Sequence, residues 1–304
     1  PVSTATGFSQ KILNAGTVEN KGVEVLLRLN PIRSEDFNWN ITANWAQNRS
    51  KVLELADGIN NLQLAALQGG ISINAAPGQP YGAIRGRDYV YDDNGNRLVN
   101  ASGFYLRSAT SNEIIGNIQP DWTGGVSNSL QYKNVSLSFL VDVQKGGDIF
   151  SLDTWYGFAT GLYDRSVGNN DLGNPVRNPV SQGGGVILPG VTADGQPNTT
   201  RVDAGYYGTP FGYARDANKG HVYDASFVKL REASLSYVFS ENLLGNLPIT
   251  NASVSLVGRN LWIIHKNLPY SDPEAGLSSG NIQGYQSGAY PAFREIGASV
   301  KFNF

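Results

Sequence analysis

Hydrophobic and polar residues alternate along several segments of the chain, as they do in β-strands with two different faces. The clearest example is segment 37–49, where apolar residues occupy every second position and mostly amide and hydroxyl residues lie between them. One face carries Phe37, Trp39, Ile41, Ala43 and Trp45, and the other carries Asn38, Asn40, Thr42, Asn44 and Asn48. Alternation over about 9–11 residues, with aromatic rings near both ends, is typical of a membrane-crossing strand of a β-barrel.

Six further segments show the same alternation over part or all of their length. They are 18–30, 122–132, 135–144, 226–239, 251–264 and 293–304. Lys133 and Asn134 predict a two-residue hairpin turn between two of them. The change of phase near Arg231 and Glu232 indicates a β-bulge, and the alternation in 251–264 is lost around Gly258-Arg259-Asn260. The pattern predicts an all-β chain in which antiparallel strands cross a membrane.

The connections between these segments differ in length in a regular way. Those at 31–36, 133–134 and 240–250 are short, whereas 52–120, 150–223 and 265–291 are long. Outer-membrane barrels have short periplasmic turns and long extracellular loops, so we expect the long segments, including the loop 150–223, to be extracellular. Segments 81–91 and 97–107 predict either two further crossings or an extracellular hairpin, and the pattern leaves both open.

Composition supports strands and excludes several kinds of site. Charged residues make up 16% of the chain, against about 25% in an ordinary soluble domain, and the chain contains 36 Gly. The 23 basic and 25 acidic residues leave a net charge of -2, which gives nucleic acid no basic surface to bind. With no Cys and 2 His, we expect no metal site and no thiol or histidine-based catalytic centre. The chain also has no apolar run long enough for a transmembrane helix.

Two acidic motifs are interpreted as turns. Asp92-x-Asn94-x-Asn96 resembles the start of a calcium loop, but Arg97 stands where such a loop requires Gly. Asp272-Pro-Glu274 has no identifiable catalytic partner, so a turn around Pro273 is the expected structure.

The long loop 150–223 is rich in aromatic residues that are suited to binding a ligand. Our candidates for contact with sugar rings or peptide side chains are Trp155, Tyr156, Tyr163, Tyr206 and Tyr207. Aromatic side chains are also common in loop packing and at protein interfaces, and these interpretations stay open.

The chain ends with a strand pattern of its own. Gly297, Val300, Phe302 and the terminal Phe304 lie in an alternating segment. This segment resembles the closing strand of bacterial outer-membrane barrels, where a final aromatic residue is recognised by the barrel assembly machinery.

Several short motifs, in the order in which they occur, resemble the C-terminal part of SusC/RagA-type TonB-dependent transporters of Bacteroidetes. They are the segments 14–24 (NAGTVENKGVE), 120–128 (PDWTGGVSN), 146–149 (GGDI), 227–239 (FVKLREASLSYVF), 258–261 (GRNL), 272–274 (DPE) and 290–294 (YPAFR). No single motif is decisive, but the combination is specific.

The resemblance implies a large bacterial outer-membrane barrel with about 22 strands and an internal plug. It also implies TonB-driven import together with a SusD-like surface lipoprotein, and it allows a dimer of transporter–lipoprotein pairs. We expect oligosaccharides as substrates, with oligopeptides as the second candidate, and we expect no cofactor and no enzymatic activity. Because the plug, the TonB-contacting segment and the first strands are missing from 1–304, we expect this chain to be the C-terminal part of a longer polypeptide.

Two other functions are compatible with a membrane barrel. One is a porin-like or adhesive barrel that works without TonB. The other is an outer-membrane barrel enzyme, which requires a nucleophile and a base to converge at one rim.

Overall fold

The computed structural model describes residues 4–8, 16–205, 210–213, 215–245, 248–276, 280 and 283–304. In this part of the chain the strands are β1 (Gly16–Arg33), β2 (Phe37–Leu55), β3 (Leu62–Leu67), β4 (Ile71–Ala75), β5 (Ala83–Gly86), β6 (Glu113–Asn117), β7 (Pro120–Tyr132), β8 (Val135–Gly146), β9 (Asp148–Ser151), β10 (Val186–Ile187), β11 (Arg201–Val202), β12 (Val222–Asp224), β13 (Phe227–Val238), β14 (Asn251–Lys266), β15 (Tyr285–Gln286) and β16 (Glu295–Asn303). The α-helices are α1 (Leu152–Ala159) and α2 (Glu241–Leu244), and short 3-10 helices lie at Thr4–Thr6, Asp164–Ser166, Val180–Gln182 and Asn218–His221.

The long strands form one antiparallel sheet, which we call the wall. Its order is β1-β2-β7-β8-β13-β14-β16, so every predicted crossing segment contributes one strand to it. β1 and β16 form the two edges, and within the described residues the wall is an open sheet. The prediction of antiparallel strands is confirmed. These seven strands do not by themselves close into a barrel within the described residues.

The wall also resolves the alternatives for segments 81–91 and 97–107. β2 pairs directly with β7, so the connection between them adds no strand to the wall. Within this connection, β3 to β6 form a separate four-stranded sheet, and bridges join Tyr89 to Arg107 and Tyr91 to Arg97. Neither segment adds a strand to the wall: residues 83–86 are β5 of the separate sheet, and residues 89–91 pair with Arg97 and Arg107 in a small hairpin outside the wall.

Cross-strand register gives the wall two chemically different faces. Residues directly opposite one another in a sheet share a face, so each face can be followed from strand to strand. One such row is Trp39, Leu130, Leu137, Leu235, Leu256 and Ala298. The adjacent row on the other face is Asn38, Gln131, Ser136, Ser236, Ser255 and Ser299. The apolar face continues across the wall because every register keeps the apolar positions aligned.

Asn128 is a polar residue on the apolar face, and its amide is compensated locally. Asn128 lies opposite Ile41 and Phe139 on that face. The indole N–H of Trp39 donates a hydrogen bond to Oδ1 of Asn128, with a nitrogen-to-oxygen distance of 3.2 Å. The amide oxygen is thus satisfied within the protein.

The predicted irregularities occur where the sequence indicates them. Register shifts between Leu230 and Glu232 on both sides of β13, which confirms the bulge. Asn260 has φ 48°, at the point where the alternation of β14 is lost. The connection β7–β8 is the predicted turn, in which Lys133 has φ 48°. The connection between β13 and β14 is short, as predicted, and contains α2.

Most buried residues lie outside the wall. Apart from Val52, Phe227 and Ala252, the buried apolar side chains of the described residues belong to the connections 56–119, 147–226 and 267–294. These three connections lie at one end of the wall, and we call them together the loop body. Its larger core clusters centre on Phe150 and Trp155 and on Phe158 and Tyr89. By contrast, most wall residues are exposed or half-buried on both faces.

Asp92 forms a turn, as predicted. Its carboxylate accepts hydrogen bonds from the backbone N–H groups of Asn94, at 2.9 Å, and Asn96, at 2.7 Å. Gly95 has φ 81°, a conformation that favours glycine. Three other hairpin tips of the loop body, which contain Gly103, Gly173 and Gly195, have the same pattern of backbone-to-backbone hydrogen bonds as the tip with Gly95.

None of the helices in the described residues is long and apolar enough to cross a membrane.

The two faces of the wall predict different responses to a charge. We expect Leu235→Arg to destabilise the wall in a bilayer by about 1–2 kcal/mol, because it places a cation on the apolar face between the middle of β13 and its end at Val238. Ser236→Arg, on the next residue and the other face, is the matched control and should cost less than about 1 kcal/mol. Urea-dependent unfolding from lipid vesicles measures both, and equal losses of stability would contradict the assignment of faces.

Candidate functional site

Helix α1 organises the centre of the loop body. Ser151 caps it, since its Oγ accepts a hydrogen bond from the backbone N–H of Thr154 at 3.1 Å. The helix buries Leu152, Trp155 and Phe158, which belong to the two core clusters of the loop body. It therefore fixes the positions of the side chains on its exposed edge.

Trp155 lies in this core. It is 6% exposed, and its ring meets that of His221 edge to face, with centroids 5.0 Å apart. Phe150 packs against it at 6.1 Å. Trp155 is therefore part of the hydrophobic core and offers almost no surface to a ligand.

Tyr156 and Tyr163 line an open cleft of ≈ 500 Å³ at the surface of the loop body. Each of the three connections contributes to it, with Gln68 from the first and Ser287 from the third. The cleft is bordered by Gln68, Leu152, Asp153, Tyr156, Gly157, Thr160, Leu162, Tyr163, Ser287 and Gly288. Tyr206 and Tyr207 lie outside the described residues.

Neighbouring rings fix the orientation of both tyrosines. Tyr156 stacks on Tyr213 with centroids 5.3 Å apart, and its hydroxyl accepts a hydrogen bond from Nε2 of Gln68 at 2.9 Å. Tyr163 stacks on Tyr270 at 3.9 Å with an interplanar angle of 5°. The Tyr270 hydroxyl donates to Oδ1 of Asp164. The two stacked pairs give the cleft flat aromatic walls.

The lining of the cleft also includes polar groups. Asp153 accepts hydrogen bonds from Nε2 of Gln286 and from the backbone N–H of Gly288, the latter at 2.8 Å. These bonds join α1 to the third connection. Burial, followed by the nearby Asp153 carboxylate, raises the pKa of Tyr163, so its hydroxyl stays protonated at neutral pH. The cleft thus combines aromatic faces with hydroxyl and carboxylate groups, which is the chemistry that orients polar oligomers.

Sequence reasoning missed part of this site. Tyr270 follows β14 in a different connection from Tyr163, and no local pattern indicates that the two rings meet. The only nearby signal is Asp272-Pro-Glu274, which predicts an ordered turn directly after Tyr270.

A second polar cluster is fully enclosed in the core. Oγ1 of Thr154 lies 3.0 Å from Nδ1 of His221, and Nε2 of His221 lies 3.5 Å from Oδ2 of Asp216. The order hydroxyl, imidazole, carboxylate matches that of a hydrolase triad. However, the three residues are 1%, 0% and 1% exposed, so a substrate has no access to Thr154. Burial, as the largest effect, lowers the pKa of His221 and favours the neutral ring. We interpret this cluster as core structure.

No metal centre is visible in the described part of the chain, where no group of three or more His, Asp or Glu side chains is arranged to hold an ion.

Three of the four residues predicted as an assembly signal, Gly297, Val300 and Phe302, lie on the edge strand β16. Val300 and Phe302 lie on the apolar face, opposite Val254 and Ala252. Phe304 follows the end of the strand and is 85% exposed, and Gly297 faces open space. Recognition of these residues by an assembly machinery stays a prediction.

The amino-acid sequence is similar to those of known TonB-dependent receptors. No protein-family model matches it. TonB-dependent receptors P3 and P26 of Formosa agariphila are 25% and 26% identical to it over 99% and 98% of the chain. TonB-dependent receptor SusC of Bacteroides thetaiotaomicron is 25% identical over 45% of the chain. The similarity to SusC/RagA-type TonB-dependent receptors is confirmed. The chain spans 30% of the length of the two Formosa receptors.

Solved structures support the same fold. The RagAB peptide importer in its closed-closed state matches 100% of this chain and 31% of its own, with a TM-score of 0.66 and 21% identity. Its open-open state gives the same TM-score at 20% identity. Seven wall strands with a loop body at one end are therefore one part of a SusC/RagA-type fold.

Two of the SusC/RagA-type motifs meet in the structure. Lys229 and Arg231, from 227–239, form ion pairs with Asp272 and Glu274, from 272–274. Arg231 also pairs with Asp142 of β8 at 2.7 Å. We call these five residues the ionic latch. Lys229 is 5% exposed, and Asp272 and Glu274 provide the opposite charges that compensate its burial.

The ionic latch fastens the third connection to the polar face of the wall. The connection contains Tyr270, Ser287 and Gly288, which help to build the cleft. Residues 272–274 therefore attach the third connection to the wall through their ion pairs. The interpretation of this motif as a turn does not predict these ion pairs.

Removal of the Glu274 charge should loosen the third connection. In Glu274→Gln, Lys229 and Arg231 each lose a charged partner, and we expect the docked conformation to lose about 1–2 kcal/mol because Glu274 is partly exposed. Backbone hydrogen exchange of 267–276 measures this loss. Glu24→Gln, on an exposed residue of β1, is the charge-matched control, and unchanged exchange in Glu274→Gln would contradict the latch.

The same latch should weaken in acid. Burial, the largest effect, raises the pKa of Glu274, but hydrogen bonds from Arg231 and Lys229 outweigh it and the net pKa is lowered from its ordinary value of 4.5. A carboxyl group of this kind stabilises the fold above its ordinary pKa, and the contribution is lost as pH falls through its lowered value. We expect exchange of 267–276, corrected for the intrinsic pH dependence of amide exchange, to increase below about pH 4.5. In Glu274→Gln this increase should be smaller, and an equal increase would contradict the assignment.

Proposed function

We propose that this chain is the C-terminal part of a TonB-dependent importer in the bacterial outer membrane. The carrying observation is the wall, in which one face is apolar across the strands and the other is polar. An apolar face suits contact with lipid, and a polar face suits a hydrated barrel interior. The similarity to TonB-dependent receptors over nearly the whole chain supports the same proposal.

In this proposal the complete protein is a barrel of about 22 strands that surrounds a plug. The plug and the first strands belong to a part of the polypeptide outside 1–304. β1 and β16 are the edges to which the remaining strands pair, since an unpaired edge is unfavourable in lipid. TonB acts through the plug, and a SusD-like lipoprotein covers the loop body, which is extracellular.

Oligosaccharides are the substrate class that we propose first. The cleft between α1 and the third connection is bordered by two tyrosine rings, each stacked on a second tyrosine, and by polar groups. Flat rings with nearby polar groups suit sugar units. Oligopeptides are the second candidate, favoured by the solved neighbours, which are described as a peptide importer. Function as a TonB-independent porin is less favoured, because the related receptors are named TonB-dependent.

Uptake by cells tests the proposal directly. Cells that carry the intact gene should accumulate fluorescently labelled oligosaccharides, and cells without it should not. Removal of TonB should abolish accumulation while leaving the protein in the outer membrane. Uptake that continues without TonB would favour the porin-like alternative, and uptake of labelled peptides alone would favour the second substrate class.

The cleft can be tested by binding. Tyr163→Ala removes one ring of the closest stacked pair, and we expect affinity for the transported oligomer to fall about tenfold, a loss of roughly 1.4 kcal/mol. Tyr163→Phe keeps the ring and should bind like the wild type. Tyr132→Ala, on an exposed ring at the opposite end of the wall, is the control. Calorimetric titration of the detergent-purified protein measures each variant, and wild-type affinity in Tyr163→Ala would exclude Tyr163 from the site.

A further inference from the structure

A second pocket in the loop body has a different chemistry from the aromatic cleft. It has a volume of ≈ 350 Å³ and is lined by Asn100, Phe104, Tyr105, Arg107 and Arg215. Two of these five residues are arginines, and none is acidic. Its volume lies at the lower end of small-molecule sites, so it suits one unit of an oligomer.

The rest of the loop body holds the lining in place. Asn100 Oδ1 accepts a hydrogen bond from the backbone N–H of Phe104 at 3.1 Å, which fixes the hairpin tip that carries the ring. The Tyr105 hydroxyl donates to the carbonyl oxygen of Pro189 at 2.9 Å. Tyr105 is 7% exposed and packs edge to face on Tyr89. The aromatic wall of the pocket is therefore firmly supported.

Both arginines are held by uncharged partners. NH1 of Arg107 donates to the backbone carbonyl of Asp216 at 3.2 Å. The guanidinium carbon of Arg215 lies 4.7 Å from the centre of the Phe104 ring. These contacts orient the two groups and leave most of their N–H donors available.

The positive charge of the pocket is not neutralised by a paired carboxylate. Arg87 lies close to Arg107 and donates to the carbonyl oxygen of Ser108. In the described residues, arginine ion pairs involve Arg49, Arg165, Arg201, Arg231 and Arg259, and none involves Arg87, Arg107 or Arg215. Three guanidinium groups therefore share this region without an ion-pair partner.

The carboxylate of Asp216, the residue whose backbone carbonyl binds Arg107, has other partners. Asp216 is 1% exposed, and its Oδ1 accepts hydrogen bonds from the Tyr89 hydroxyl at 2.6 Å and from the backbone N–H of Ala217 at 2.9 Å. Burial first, then Arg87, lowers the pKa of Arg107; Asp216 opposes this effect, and Arg215 adds to it. Burial is the main cause of this direction, and the two neighbouring arginines add to it.

We propose that this pocket binds the carboxylate of an acidic unit of a ligand, with Arg107 and Arg215 as the charged donors and Phe104, supported by the buried Tyr105, as the apolar wall. Guanidinium groups bind carboxylates in bidentate geometry, and the aromatic side accommodates the ring or side chain that carries the carboxylate. Two kinds of oligomer supply this chemistry, a uronic acid oligosaccharide and an acidic peptide. A resulting preference for acidic cargo rests on the proposed import function, whereas carboxylate binding itself does not.

The test compares acidic and neutralised forms of the same probe. The protein isolated from outer membranes in detergent is titrated with a uronic acid trisaccharide and its methyl ester, and with an acidic tripeptide and its amide. We expect at least one acidic form to bind about tenfold more tightly than its neutral form. The pair that shows the difference identifies the source of the carboxylate.

Variants assign the preference to the pocket. In Arg107→Gln/Arg215→Gln the difference between acidic and neutral probes should fall to less than about twofold. Arg215→Gln alone is a second variant, on an exposed side chain, and should reduce the preference at least by about threefold. Arg33→Gln, at the far end of the wall, is the control and should keep it.

Equal affinity for acidic and neutral probes in the wild type would overturn the proposal, as would a preference that survives in the double variant. If this occurs while cells still import neutral oligomers, the carboxylate site is wrong and the import function stands. If the preference depends on both arginines but cells import neither oligomer, the import function is wrong and the carboxylate site stands.

Discussion

Antiparallel register is the constraint on which the rest of this structure depends. The seven wall strands pair so that most apolar positions of one face lie opposite other apolar positions, as in the row from Trp39 to Ala298. A slip of one residue in any strand would move its side chains to the other face. Where a polar residue does occur on the apolar face, as at Asn128, a neighbouring indole satisfies it.

The protein divides its stabilisation between two regions. Most wall residues are exposed or half-buried in this chain. The stability of the wall therefore rests on backbone hydrogen bonds between its strands and on the surroundings that contact its two faces. The loop body has buried cores of its own, centred on Phe150, Trp155 and Phe158. The ionic latch joins the two regions, because Lys229 and Arg231 belong to β13 while Asp272 and Glu274 belong to the third connection.

The wall was predictable from the sequence, and the candidate site largely was not. Alternation located every wall strand, and the change of phase at Arg231 located the bulge, because strand geometry imposes a period of two on the sequence itself. No comparable period links Tyr163 to Tyr270, or Lys229 to Asp272, since these contacts join segments far apart in the chain. Aromatic composition led to both Trp155 and Tyr163, although one lies in the core and the other in the cleft, because composition does not reveal burial.

The buried cores of the loop body also determine how a ligand would be received. Tyr156, Tyr163, Phe104 and Tyr105 are each held by stacked rings or hydrogen bonds within the protein itself. Binding to such a surface requires little loss of conformational entropy, which is the main cost when a flexible loop must become ordered around its ligand. The entropic cost of recognition therefore falls mainly on the oligomer, and short or stiff oligomers should have an advantage over long flexible ones.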